Sequence, residues 1–199
     1  MVLKLKIRRD EHPINPREEY ENAGHMVCWH RRYQLGDEQP REQPADWREV
    51  FDIENPDAIV LPLYLYDHSG ITMSVGKFSC PWDSGQVGWI YLTRKALDEN
   101  WPASYPDGAS KEDKSKIDEE RIELGKACLR SEVETYDAFL TGDCWGFELV
   151  NVVECDHGDE HEDHIDSCWG FFGEDKDGIF HHLPDEARSL FEDAWSNRG

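Results

Sequence analysis

Apolar and polar residues alternate at the start of the chain. Leu3, Leu5 and Ile7 fall on one side and Lys4, Lys6 and Arg8 on the other, the period-two pattern of a half-exposed strand whose basic face suits a sheet edge. After a polar segment, MVCWHRRY at 26–33 predicts a second strand. Gly36, Pro40 and Pro44 mark a loop, and residues 46–51 suit one or two helical turns. The most apolar stretch, AIVLPLYLY at 58–66, reads as a buried strand in which Pro62 requires an edge or a bulge. DHSG at 67–70 is turn chemistry, ITMSVGKFSC continues as a strand, and 58–80 therefore reads as a hairpin. GWIYLT at 88–93 predicts a further strand.

WPASYPDGAS at 101–110 is a connector whose Ser110 can cap a helix beginning at Lys111. From 111 to 140, Ile122, Leu129, Val133, Tyr136 and Leu140 recur at helical spacing with charged residues between them, and Gly142 supplies the stop. A last helix is expected over 184–196, with Pro184 in its first turn, Asp185 and Glu186 near its positive end, and an apolar stripe of Ala187, Leu190, Phe191, Ala194 and Trp195. Between these helices Trp145, Phe147 and Leu149 alternate, a polar turn occupies 155–164, and CWGFF at 168–172 returns as a second hairpin. Strands and helices come in blocks, which predicts an α+β fold. A largely antiparallel sheet packs against the long helix (about 111–140) and a C-terminal helix (about 184–196), in a single domain of 1–199.

Eight Trp, eight Phe and seven Tyr set the chain apart from disordered sequences. The charged start MVLKLKIRRDEH is unlike a signal peptide, and no stretch reaches the roughly 18–20 apolar residues of a membrane span. A cytoplasmic location, in a host cell, is the expectation. The six cysteines include no CxxC pair, and reduced packing residues are expected, notably Cys128, Cys144 and Cys168. The 43 acids against 21 bases give a net charge of −22, and residues 142–199 alone hold 16 acids and 3 bases. Such a field repels nucleic acid and anionic lipid and attracts basic surfaces, so neither direct nucleic-acid binding nor a membrane partner is expected.

Three segments hold candidate chemistry. In the turn 155–164, Cys155, His157, His161 and His164 are ligand types for a divalent metal. No cofactor is otherwise expected, and zinc is the ion this set would take. The second segment pairs His68 with the loop Cys80-Pro-Trp-Asp-Ser-Gly-Gln. About ten strand residues, some 33 Å, separate the two, so a Cys80 thiol enzyme with His68 as base requires a sharp bend at Val75-Gly76. A structural reading makes Asp83, Ser84 and Gly85 a tight turn, with Trp82 in the core and Gln86 bonded to backbone. The third is His30-Arg31-Arg32-Tyr33, a basic cluster suited to a phosphate or to pairing with the acid surplus.

The strings DHSG…FSCPWDSGQVGWIY, SEVETYDAFLTGD and DSCWGFFG, with MVCWHRRYQLGDE near the start, resemble a group of uncharacterised proteins encoded by phages and other mobile elements. The resemblance covers roughly residues 16–173. It implies an accessory mobile-element protein, a class in which antagonists of host defence are frequent, and carries over no activity, cofactor or site. One departure is the enlarged turn at 155–164.

The reading favoured by charge is a non-enzymatic binder. Asp143, Asp156, Asp159, Glu160, Glu162, Asp163, Glu174, Asp175 and Asp177 would imitate a nucleic acid to a basic protein surface of a host defence complex, as anti-CRISPR or anti-restriction proteins do. The alternatives are a metal-dependent enzyme or metal-stabilised module using the 155–164 turn, and the Cys80 thiol enzyme. Each catalytic constellation is incomplete, which weighs against an enzyme.

Overall fold

The structure, a computed structural model, describes residues 2–40, 42, 44, 58–154, 157, 159–173 and 175–198. The expected helical turns at 46–51 lie outside the described residues. The fold is α+β, with antiparallel sheets, a long helix and a helical C-terminus. The chain forms two compact units, residues 16–137 and residues 1–15 with 138–199.

The larger unit holds a four-stranded antiparallel sheet. Its strands are β2 (His25–Cys28), β3 (Ile59–Asp67), β4 (Ile71–Ser74) and β5 (Ser84–Leu92), in the order β2-β5-β3-β4. The short α1 (Pro16–Glu19) precedes it, and α2 (Arg94–Asn100) follows β5, capped by Thr93 Oγ1, which accepts from Ala96 N at 3.1 Å. The long α3 (Lys111–Thr141) buries Gly125, Leu129, Val133 and Tyr136 at helical spacing. Gly125 permits close approach to the sheet, since a Cβ there would lie 2.8 Å from Ile59 Cδ1. Gly142, at φ 70°, ends the helix.

Several elements differ from the sequence reading. The strand expected at 26–33 stops at Cys28, because the His30 imidazole accepts from the amides of Arg32 and Tyr33, both at 3.3 Å, and holds a turn there. The strand expected to reach residue 80 stops at Ser74, whose hydroxyl accepts from Gly76 N at 3.0 Å. Pro62 meets its requirement: β4 pairs with β3 only from Tyr64 onward, so Pro62 sits where β3 is an edge, and the register shift falls between Leu63 and Tyr64.

The other unit is a three-stranded sheet in the order β1-β6-β7, built from β1 (Val2–Arg9), β6 (Cys144–Glu154) and β7 (Glu160–Phe172). Its apolar face carries Leu5, Ile7, Phe147, Leu149 and Phe171. These pack against Ile179 of α4 (Lys176–His182), Ala187 of a 3-10 helix (Asp185–Leu190) and Phe191 of α5 (Phe191–Ser196). The single helix expected over 184–196 is thus a 3-10 turn followed by a short α-helix. The polar turn expected at 155–164 is largely strand, since the β6–β7 ladder continues out to Glu154 opposite Glu160. Among the described residues no helix is long and apolar enough to cross a membrane.

The larger unit is tied together by Arg17, whose side chain is 2% exposed. Its Nε donates to Asp37 Oδ1 at 2.8 Å, its Nη1 to Glu132 Oε2 at 2.8 Å and its Nη2 to Gly24 O at 2.8 Å. Glu132 in turn accepts from the amides of Ala23 and Gly24, and Asp37 from Met26 N. Burial alone would lower the guanidinium pKa, but the two carboxylates more than offset it and the net shift is upward. Removing one partner leaves a buried charge and two backbone amides without their acceptor. Glu132→Ala is therefore expected to cost about 3–5 kcal/mol in urea unfolding, and a loss below about 1 kcal/mol would contradict the role given to this network.

Candidate functional site

The β6–β7 hairpin carries most of the acids of the charge-based reading. In β7, residues Glu160, His161, Glu162, Asp163, His164 and Ile165 are all exposed. They are strand because β6 pairs with them, and β7 is an edge of the sheet on which side chains of both faces stay open to solvent over this stretch. Strand geometry puts alternate side chains about 6.6–6.8 Å apart on each face, a spacing of the same order as that between successive phosphates of a nucleic-acid strand.

The acids play unequal parts. Asp143 accepts from Trp145 Nε1 at 2.7 Å, and Asp175 caps α4 by accepting from Gly178 N at 2.8 Å. Glu162 accepts from Lys6 and, at 3.2 Å, from Lys4, and these donations pull its carboxyl below the usual carboxylate range. Asp159, Glu160 and Asp177 are exposed and have no lysine or arginine partner among the described residues, and Asp163 meets only His161, at 3.6 Å. Asp156 and Glu174 lie outside the described residues.

The same ladder separates the expected metal ligands. His161 is paired with Val153 and His164 with Val150. They are three positions apart on one strand and so face opposite sides of the sheet. His164 Nε2 instead lies 3.2 Å from Ser167 Oγ. His157 is exposed in the turn, and Cys155 lies outside the described residues. Among the described residues no group of three or more His, Cys, Asp or Glu side chains is arranged to hold a metal ion.

In the larger unit the chain after Ser74 folds back on itself, so the expected separation of about 33 Å does not arise: Asp67 N donates to Asp83 O at 2.8 Å. Asp83 Oδ2 lies 3.4 Å from His68 Nδ1 and 3.6 Å from Cys80 Sγ. The carboxylate, rather than the thiol, is the centre of this group, and the acceptor nearest Cys80 is not the imidazole a thiol nucleophile needs. Ser84 donates to Cys80 O and Gln86 Nε2 to Gly88 O, but Ser84 and Gly85 already pair with Tyr66 and Leu65 as the start of β5, so the expected turn at 83–85 ends at Asp83. Trp82 is not in the core: it is 91% exposed. Arg32 pairs with Asp67 and lies over the Tyr33 ring at 5.5 Å, so pairing and not an open phosphate site describes this cation. The ring of His30 stacks on Tyr33 at 4.9 Å, and burial pushes its imidazole pKa down.

Cys28 and Cys144 are buried, while Cys80, Cys128 and Cys168 are partly so. Burial pushes the Cys28 thiol up to about 12 and those of Cys128 and Cys144 up to about 11. At pH 8 iodoacetamide is expected to leave Cys28 and Cys144 unmodified in the folded chain, and to label Cys80 no faster than in the urea-unfolded chain. Faster labelling of Cys80 that disappears in His68→Ala would instead restore the thiol-enzyme reading.

Comparison of the chain with known protein families, with curated proteins and with solved structures finds no match.

Proposed function

We propose that this protein acts by binding, as an acidic accessory protein of a mobile element. In this reading the outer half of the β6–β7 hairpin occupies a basic surface that otherwise takes nucleic acid, such as that of a host defence complex. The observation that carries the reading is the continuous exposure of Glu160–Ile165 on a paired edge strand, with Asp159, Glu160 and Asp163 lacking lysine or arginine partners among the described residues. The β6–β7 ladder holds Glu160 and Asp163 on opposite faces of the β7 edge, with Asp159 just before the strand, so little backbone order is lost when a partner wraps this edge.

Lysines and arginines of a phosphate-binding groove can pair with these carboxylates as they pair with phosphates. Three acids from the sequence reading contribute to the fold instead: Asp143, Glu162 and Asp175 each already accept from a neighbour. The reading therefore narrows to the distal hairpin. The chain's net charge of −22 favours fast encounter with any cationic partner but does not by itself choose one.

The test is capture from host lysate with the wild type and the triple variant D159N/E160Q/D163N as bait. The wild type is expected to retain a nucleic-acid-binding protein that is released by rising salt and by added double-stranded DNA. The variant should retain at least about ten-fold less of it. A partner held unchanged at high salt, or held equally by the variant, would overturn the proposal.

A further inference from the structure

The larger unit contains an open groove of about 340 Å³ whose lining includes Leu65, Val87, Arg32, Asp67, Trp82 and Asp83. Two features set it apart from the rest of the surface. The first is Trp82: a large apolar ring left 91% exposed in a chain that buries most of its aliphatic strand residues. Exposed indoles that line a concavity are characteristic anchors of recognition.

The second is the charge balance. Arg32 and Asp67 neutralise one another as an ion pair. His30 is stacked on Tyr33 with its imidazole pKa held down, so at neutral pH it adds no charge. The remaining carboxylate, Asp83, is 40% exposed at its side chain, and it meets an imidazole and a thiol but no lysine or arginine among the described residues. The groove thus offers a carboxylate that meets no lysine or arginine among the described residues, beside a solvent-facing π surface and over an apolar floor.

We propose that this groove binds the side chain of an arginine or lysine from a peptide segment of a partner, with the cation on the face of Trp82 and its charge opposite Asp83. The chemistry is an ion pair combined with a cation–π contact, a combination that favours a guanidinium because its flat, weakly hydrated head stacks and donates at the same time. The apolar floor takes the methylene stem. The proposal uses none of the hairpin acids and stands whether or not the hairpin engages a partner.

The probe is a capped Gly-Gly-Arg-Gly-Gly peptide. Its controls are the same peptide with citrulline, which keeps the shape and removes the charge, and one with glutamate. Binding is followed on the full-length chain by the NMR shift of the Trp82 indole N–H, assigned by its loss in Trp82→Phe. Saturable binding of the arginine peptide is expected, with citrulline weaker by about ten-fold. Asp83→Asn should weaken the arginine peptide by a similar factor, as should Trp82→Ala when binding is read by calorimetry. The exposed position of Trp82 leaves its removal harmless to the fold, which the thermal melting curve checks. The hairpin variant D159N/E160Q/D163N should bind as the wild type does, so that this result and the capture result are read separately. Equal binding of the citrulline peptide, preference for the glutamate peptide through Arg32, unchanged binding by both groove variants, or no saturable shift would each overturn the proposal.

Discussion

With 43 carboxylates and only 21 lysines and arginines, this chain cannot neutralise its own surface, and the placement of its few cations organises the structure. The most buried of them are committed to joining segments distant in sequence. Arg17 bridges Asp37 and Glu132, and Arg121 joins Asp98 and Asp118 while donating to Trp101 O at 2.6 Å. In the other unit Lys4 and Lys6 of β1 reach across β6 to Glu162 of β7, which ties both edges of a three-stranded sheet. A buried arginine between two carboxylates adds less net stability than its contacts suggest, because desolvation opposes them, but it disfavours any arrangement that leaves one of the three unpaired.

The longest patterns in the sequence had direct physical causes and were readable for that reason. β1 alternates because one face meets Phe147 and Leu149 and the other meets water, and α3 is periodic because one stripe meets a sheet. The short helices α2 and α4 each bury a single apolar residue, Leu97 and Ile179, and one buried position cannot announce a period. The expectation of a turn over 155–164 misses the start of β7 for a related reason. A strand that extends past its core has solvent on both faces, so EHEDHI carries no alternation, and only pairing with β6 makes it a strand.

The candidate sites were legible in composition but not in geometry. Histidine and acid density at 155–164 suggested a metal, whereas strand periodicity divides His161 from His164. Residue type suggested that Trp82 is core, yet the turn that brings Asp83 beside His68 turns the indole outward. A reversal of the chain over residues 75–83 decides which side chains meet in the larger unit, and a local bond from Gly76 N to Ser74 Oγ is too small a signal to read from composition. The fold class survives such errors because it rests on many residues, while a site rests on three or four.

The function proposed for this chain requires unneutralised carboxylates of the distal β6–β7 hairpin to meet a cationic partner. Carbodiimide footprinting of the carboxyl groups, compared by mass spectrometry between the free chain and its complex, reads this contact directly. Protection of Asp159, Glu160 and Asp163, with Asp185 and Glu186 still labelled, is the predicted result. Unchanged labelling of the hairpin in a complex that has formed would contradict it.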